Sequence, residues 1–131
     1  MKKRIISEVV AEPPAGTFSN AFFVSVPYGG TMYISGQTAA LPDGSIVGDA
    51  DVRAQTTEVF LRIKSLLSEA GLSMNHVVKL TTYLTDMSDR SAFSETRATF
   101  FSGDFPASTL VEVSALALPG LLVEVEAIAV T

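Results

Sequence analysis

The sequence predicts an α+β fold, with two helices laid on one face of a sheet of at least five strands. Three observations carry this reading. Over residues 52–70, apolar side chains recur at three- and four-residue steps, the period of a helix with one buried stripe. Short β-branched and aromatic runs lie on both sides of it, bounded by turn residues. The final run, LLVEVEAIAV at 121–130, is mostly apolar on both of its faces, so both faces are expected to be covered. Two helices can cover one face. In a chain this short, a second subunit is the natural cover for the other.

The elements follow in order. A short strand is expected at Ile5-Ile6, and the AEPPAGT stretch at 11–17 reads as a loop from its proline and glycine. Phe22 to Val26 and Thr31 to Ser35 read as strands joined by a Pro27-Tyr28-Gly29-Gly30 turn, which makes a hairpin. LPDGS at 41–45 is another turn. Asp49 or Asp51 can cap the first helix. Its stripe is Val52, Thr56, Val59, Phe60, Ile63, Leu66, Leu67 and Ala70, with Gly71 as the stop. HVVKLTTYLTD at 76–86 reads as a strand. A weaker helix is expected over 89–101, with its stripe through Phe93, Arg97 or Thr96, and Phe100. DFPASTLVEV at 104–113 turns at Phe105-Pro106-Ala107 into a strand from Thr109 to Val113, and the last strand ends the chain.

A length of 131 residues fits one domain over 1–131 with a real core and no staples. Apolar residues are 47% and charged residues only 18%, which favours burial between subunits. There is no cysteine, so disulfides, thiolate metal sites and cysteine nucleophiles are excluded. The net charge of −5 and the scattered nine lysines and arginines argue against a nucleic-acid partner. No apolar run reaches membrane-spanning length, and none follows Lys2-Lys3-Arg4 as a signal sequence would require. A cytoplasmic protein with no membrane partner is the expectation.

Few residues can carry chemistry. Glu124 and Glu126 share a strand face with Leu122 and Ile128. Either they reach water at a strand end, or at least one lines a polar pocket between subunits, where desolvation would raise its pKa and suit it to proton handling. His76 is the single histidine, so a Ser-His-Asp triad or a histidine-based metal site has little to draw on. Gly29-Gly30 opens no helix and is no phosphate loop. Tyr28, Tyr33 and Tyr83 read as packing or hairpin residues. Gly36, in Ser35-Gly36-Gln37, marks a plain strand exit, a bulge or a close backbone approach to a ligand.

The stretches YISGQTA, AQTTEVFLRIKSLLSEAGLSMNHVVKLTTYLTDMSD, FFSGDFPAS, LVEVSAL and VEVEAIAV, in this order from about Gly16 to Val130, resemble the RidA/YjgF family. The resemblance implies a chorismate-mutase-like domain, a twisted mixed sheet with two helices on one face. It also implies a homotrimer packed through the other face, with small-molecule clefts between neighbours. The activity it implies is hydrolysis of reactive enamines and imines to carbonyl compounds and ammonia, with no metal or organic cofactor. A glutamate positions the water and an arginine clamps the substrate carboxylate.

Carried over by position, the family's cleft glutamate falls on Glu124 as the catalytic residue, and its SGQ falls on Ser35, Gly36 and Gln37. The substrate-binding set is completed by Phe18, where the family has tyrosine, by Ser94 for an asparagine, by Ser108 for the clamp arginine, and by Thr109. Leu110 stands where the family has cysteine. Losing a guanidinium clamp costs about 2–5 kcal/mol, whereas a neutral serine hydrogen bond returns about 1 kcal/mol. The substitution therefore disfavours the usual 2-aminoacrylate reaction and suits a neutral or cationic imine. Arg97 is expected in a solvated or intersubunit ion pair, with replacement of the missing cation as the lesser alternative, and Lys79 reads as structural. A non-catalytic, small-molecule-binding or chaperone-like homotrimer is the alternative. The acidic charge and lone histidine count against a ribonuclease.

Overall fold

A computed structural model describes residues 1–131. Six strands and two helices follow one another along the chain: β1 (Lys2–Ile5), β2 (Ala21–Val26), β3 (Gly29–Gln37), α1 (Val52–Glu69), β4 (Val77–Leu84), α2 (Arg90–Ala98), β5 (Ala107–Glu112) and β6 (Val123–Val130). They form one sheet in the order β1-β2-β3-β6-β4-β5. Only β4 and β5 run parallel; the other neighbours are antiparallel. Parallel neighbours need a long crossover, and α2 supplies it.

α1 forms where the stripe places it. Asp51 caps it, its Oδ1 accepting from Arg53 N at 3.0 Å and Ala54 N at 3.1 Å. At the other end Gly71 adopts φ 72°, which lets Gly71 N reach Ser68 O and Leu72 N reach Leu67 O, a Schellman stop. Val59, Phe60, Ile63, Leu66 and Leu67 are fully buried against Met32, Ile34, Val123, Val125, Ala127 and Ala129 of the sheet. Phe93 of α2 and the more open Phe100 and Phe101 close on the Phe60 ring, with centroids 6.2, 5.3 and 5.9 Å away.

Several boundaries differ from the sequence expectation, each for a physical reason. The first strand is Lys2–Ile5 rather than Ile5-Ile6, because Lys2 to Ile5 pair with Val24 to Ala21. The second helix spans 90–98, not 89–101; Phe100 and Phe101 pack on the core from beyond its end. His76 belongs to a 3-10 turn, Met74–His76, where its Nδ1 accepts from Ser73 N at 3.0 Å, so β4 starts at Val77. The strand read from Thr109 begins earlier, at Ala107 beside Lys79. The last strand begins at Val123, because the Leu122 N–H is taken by the buried Gln55 side chain at 2.9 Å. The same amide donates to Gly120 O at 2.9 Å and so ties α1 to the entry of β6.

Both helices lie on one face, as the sequence predicts. No element of the chain covers the other face, where Tyr33 is half-exposed and Tyr83, Glu124, Glu126 and Ile128 are partly so.

Thr82 is fully buried on β4, and its hydroxyl has no partner. Thr82→Val keeps the shape and removes that unpaired group, so it should raise stability by about 1 kcal/mol. Urea denaturation checks this; an unchanged or lower midpoint would count against the hydroxyl being unsatisfied.

Candidate functional site

The uncovered sheet face carries the acids. β6 alternates, so that Val123, Val125, Ala127 and Ala129 turn under the helices while Glu124, Glu126 and Ile128 turn outward. Glu124 lies beside Tyr83 in the β4–β6 ladder, and Glu126 lies beside Thr81. Tyr83 Oη donates to Glu126 Oε1 at 2.6 Å. On the other side of β6, β3 bulges between Ile34 and Gln37. The bulge brings Gly36 against the Glu124 carboxylate so closely that a Cβ there would overlap Oε1. The bulge is held by Ser35 Oγ donating to Ser19 O at 2.6 Å and by the Gln37 amide donating to Ser35 O at 3.1 Å. Gly36 is thus both a bulge and a close approach, the approach being to Glu124. Together Gly36, Tyr83, Glu124 and Glu126 line an open pocket of about 270 Å³ with Val113, Ala115 and Leu116.

Two effects raise the Glu124 pKa above the ordinary carboxylate value: burial first, then the charge of Glu126. Tyr83 is also raised, chiefly because its proton is shared with Glu126 and then by burial. Glu124 therefore keeps its proton to higher pH than an exposed glutamate, a state suited to giving and taking protons.

The other expected site residues lie elsewhere. Phe18 is exposed in the loop before β2 and, with Gly36, Gln37 and Arg62, lines a separate hollow of about 380 Å³. Ser94 is half-buried on α2. Thr109 accepts from Lys79 Nζ at 2.7 Å, which gives Lys79 a structural contact. Ser108 pairs with Leu80, whose side chain is buried in the core, so Ser108 belongs to the helix-side face. Its Oγ accepts from Arg97 Nη1 at 3.1 Å. Leu80 in turn pairs with Ala127, three residues along β6 from Glu124. Within one chain, then, Ser108 and Glu124 sit on opposite faces, two strands apart and about 10 Å apart along the strand direction.

Tyr83 and Glu126 join the site although the sequence reading gave Tyr83 a packing role. The signal was the alternation of β4, which could not be used without the β4–β6 register. No group of three or more His, Asp or Glu side chains is placed to hold a metal ion. No helix is long and apolar enough to cross a membrane.

A family model described as Endoribonuclease L-PSP matches residues 10–131. The chain belongs to the RidA/YjgF family. A RutC family protein of Pyrococcus abyssi is 37% identical, over 98% of each chain. A mouse protein named 2-iminobutanoate/2-iminopropanoate deaminase is 34% identical over 98% of this chain and 91% of its own. Among solved structures, RidA from an Antarctic Psychrobacter superposes with a TM-score of 0.81 at 36% identity, covering 97% of this chain and 98% of that one. A Rid family protein from Yersinia pestis does so with a TM-score of 0.84 at 36% identity, covering 98% of both. This RidA-type chain has the fold of those neighbours.

Gly36→Ala should push the Glu124 carboxylate out of its seat and cost about 1–3 kcal/mol. Most of that cost should vanish in a Glu124→Ala background, where the three atoms nearest to the new methyl are gone. A double-mutant cycle by chemical denaturation reads this, and additive effects would show that the two residues do not touch.

The raised Glu124 pKa has a defined sign in stability. Its contribution is fully present below the unfolded-state carboxylate pKa and is lost as pH rises through the folded-state value. Glu124→Gln cannot titrate, so it should gain on wild type as pH climbs from the acid side through that window. Denaturation at stepped pH checks it; a pH-independent difference would refute the shift.

Proposed function

We propose that the protein hydrolyses a small imine or enamine to a carbonyl compound and ammonia. The reaction would take place in clefts between copies of the chain in a homotrimer. One observation carries this reading: a half-buried carboxylate, Glu124, is seated against a bulged glycine and faces the Tyr83–Glu126 pair in an open pocket. The relatives named 2-iminobutanoate/2-iminopropanoate deaminase support it.

The chemistry asks for little more. An enamine takes a proton from solvent at carbon to become the iminium ion, and an imine reaches the same ion by taking one at nitrogen. Glu124 in its carboxylate form draws a proton from water as the oxygen bonds to the iminium carbon, and the C=N pair moves to nitrogen to give the neutral carbinolamine. The protonated Glu124 then returns that proton to the amino group. Ammonia leaves as the hydroxyl gives its proton to the Glu124 carboxylate and the C–O bond becomes a carbonyl, and the regenerated acid passes its proton to ammonia or solvent. A pKa above the ordinary carboxylate value makes both forms accessible nearer neutrality.

The subunit arrangement is supported by the uncovered sheet face and by the apolar-rich, charge-poor composition. A small molecule is the ligand, and neither nucleic acid nor membrane is part of the reading.

Two measurements test it. Freshly generated imines, charged and uncharged, are supplied in a coupled assay for ammonia and carbonyl product. Turnover should fall by about 100-fold or more in Glu124→Ala, the range of a lost proton-transfer group. No ammonia from any imine would leave the non-catalytic binding homotrimer standing instead. Light scattering should give a mass three times that of the chain; a stable monomer at micromolar concentration would remove the cleft.

A further inference from the structure

Tyr83 is the one aromatic side chain lining the acid-bearing pocket, and its hydroxyl serves the acid it does not face. In the β4–β6 ladder Tyr83 lies beside Glu124, and Thr81 lies beside Glu126. Yet Tyr83 Oη donates to Glu126 Oε1 at 2.6 Å, while no donor of the chain bonds the Glu124 carboxylate. A phenol-to-carboxylate bond of this length is charge-assisted, roughly twice as strong as a neutral one. Diagonal neighbours in a ladder stand about 7–8 Å apart, so the bond needs both side chains to lean along the strands. It draws the Glu126 carboxylate toward the level of Glu124.

Electrostatics alone would send Glu126 the other way. Lys79, Thr81 and Tyr83 turn outward together, since they pair with Ile128, Glu126 and Glu124 of β6. Glu126 therefore has two diagonal neighbours on β4: Tyr83 on the Glu124 side and the cationic Lys79 on the other. Lys79 Nζ instead donates to Thr109 Oγ1 at 2.7 Å, toward β5, and the ion pairs of the chain are Arg4–Glu12, Arg53–Glu95 and Arg62–Glu58. Around Glu124 the other neighbours are neutral: Ser35, Gly36 and Gln37 on β3, and Val113, Ala115 and Leu116 beyond β5. Tyr33 stands farther along β3, at the level of Ile128. On β5, Thr109 and Val111 lie level with Thr81 and Tyr83, and the acid Glu112 accepts from Met87 N at 2.8 Å. Glu126 is thus the charge held next to Glu124, and after burial it is the second cause of the raised Glu124 pKa. The same bond raises Tyr83, so the phenol keeps the proton it donates.

We propose that Tyr83 is a positioning residue: it anchors the Glu126 carboxylate beside Glu124, and so holds a negative charge against the acid that handles the reaction's proton. Tyr83 acts through Glu126, and Glu126 acts through Glu124. Without the hydroxyl, Glu126 has water and Lys79 to turn to, and its charge moves away from Glu124. The bearing of this on turnover rests on the function proposed above; the arrangement of the three side chains does not.

The test is a pH titration of the intact protein, isotope-labelled at its glutamate carboxyl carbons and followed by nuclear magnetic resonance. The Glu124 signal is the one missing from Glu124→Gln. Tyr83→Phe should lower the Glu124 midpoint, because the charge that raises it is released. Glu126→Gln should lower it too, since the amide oxygen still accepts from Tyr83 but carries no charge. The double variant should titrate like Glu126→Gln alone, because Tyr83 then has no charge to place. A hydroxyl with a merely structural role would leave the midpoint unmoved in Tyr83→Phe. That result, a midpoint unmoved by Glu126→Gln, or two shifts that add in the double variant would each overturn the proposal. In the coupled ammonia assay, the acid limb of kcat/KM should move to lower pH in both single variants, by the shift read from the carboxyl signal. Lowered midpoints without ammonia release from any imine would keep the positioning contact and sink the deaminase. Ammonia release with the Glu124 midpoint unmoved in Tyr83→Phe would do the reverse.

Discussion

The packing of α1 across β6 is the constraint on which the rest depends. β6 pairs with β3 on one side and β4 on the other, so its register sets the middle of the sheet. That register is held by Val123, Val125, Ala127 and Ala129 beneath Phe60, Ile63, Leu66 and Leu67. A slip of one residue would turn Glu124 and Glu126 into this core and expose the valines. Burying a valine or leucine side chain stabilises by about 1.5–3 kcal/mol, whereas an unpaired buried carboxylate costs several. The alternation has one affordable solution, and it commits both acids to the uncovered face.

Once β6 is fixed, the site follows from its two neighbours in different ways. β4 contributes through plain register, which sets Tyr83 beside Glu124 and within reach of Glu126. β3 contributes through an irregularity. A regular β3 would present a side chain at the level of Glu124; the bulge and the missing Cβ of Gly36 leave a seat for the carboxylate instead. The seat desolvates Glu124, and desolvation is the leading cause of its raised pKa. A backbone device in one strand thus sets the protonation behaviour of a side chain in another.

The fold was legible because its signals are local and periodic. The α1 stripe, the Asp51 cap, the Gly71 stop and the β6 alternation each state a local structure directly, and the resemblance over nearly the whole chain supplied their arrangement. Helix and strand ends were less legible. Gln55 sits in the α1 stripe as a polar residue, and only the structure shows its amide holding Gly120 O and Leu122 N and delaying β6 to Val123. Glu124 and Gly36 could be named from the sequence, but their contact could not, since it depends on a bulge 88 residues away in the chain from the acid it serves. Ser108 shows the opposite failure. Considered as a substitution, it is a loss of charge; considered in space, it is the acceptor for a cation eleven residues earlier. Contacts between side chains of different elements leave no periodic trace.

The resulting charge layout separates acids from a cation across the sheet. Acids collect on the bare face near the start of β6, and the unpaired cation lies behind β5, on the helix side. Neighbouring strands are about 4.8 Å apart and residues rise about 3.3 Å each, so two strands, three residues and the sheet itself lie between Glu124 and Ser108. No small molecule spans that separation around a folded sheet. A ligand that meets both the proton-handling carboxylate and the guanidinium must take them from two copies of the chain. The chain also has the means to present them: β5 is an edge strand whose outer side is unpaired, and the acid-bearing face has no cover of its own. On this geometry, only a contact between copies of the chain would bring the two groups to one ligand.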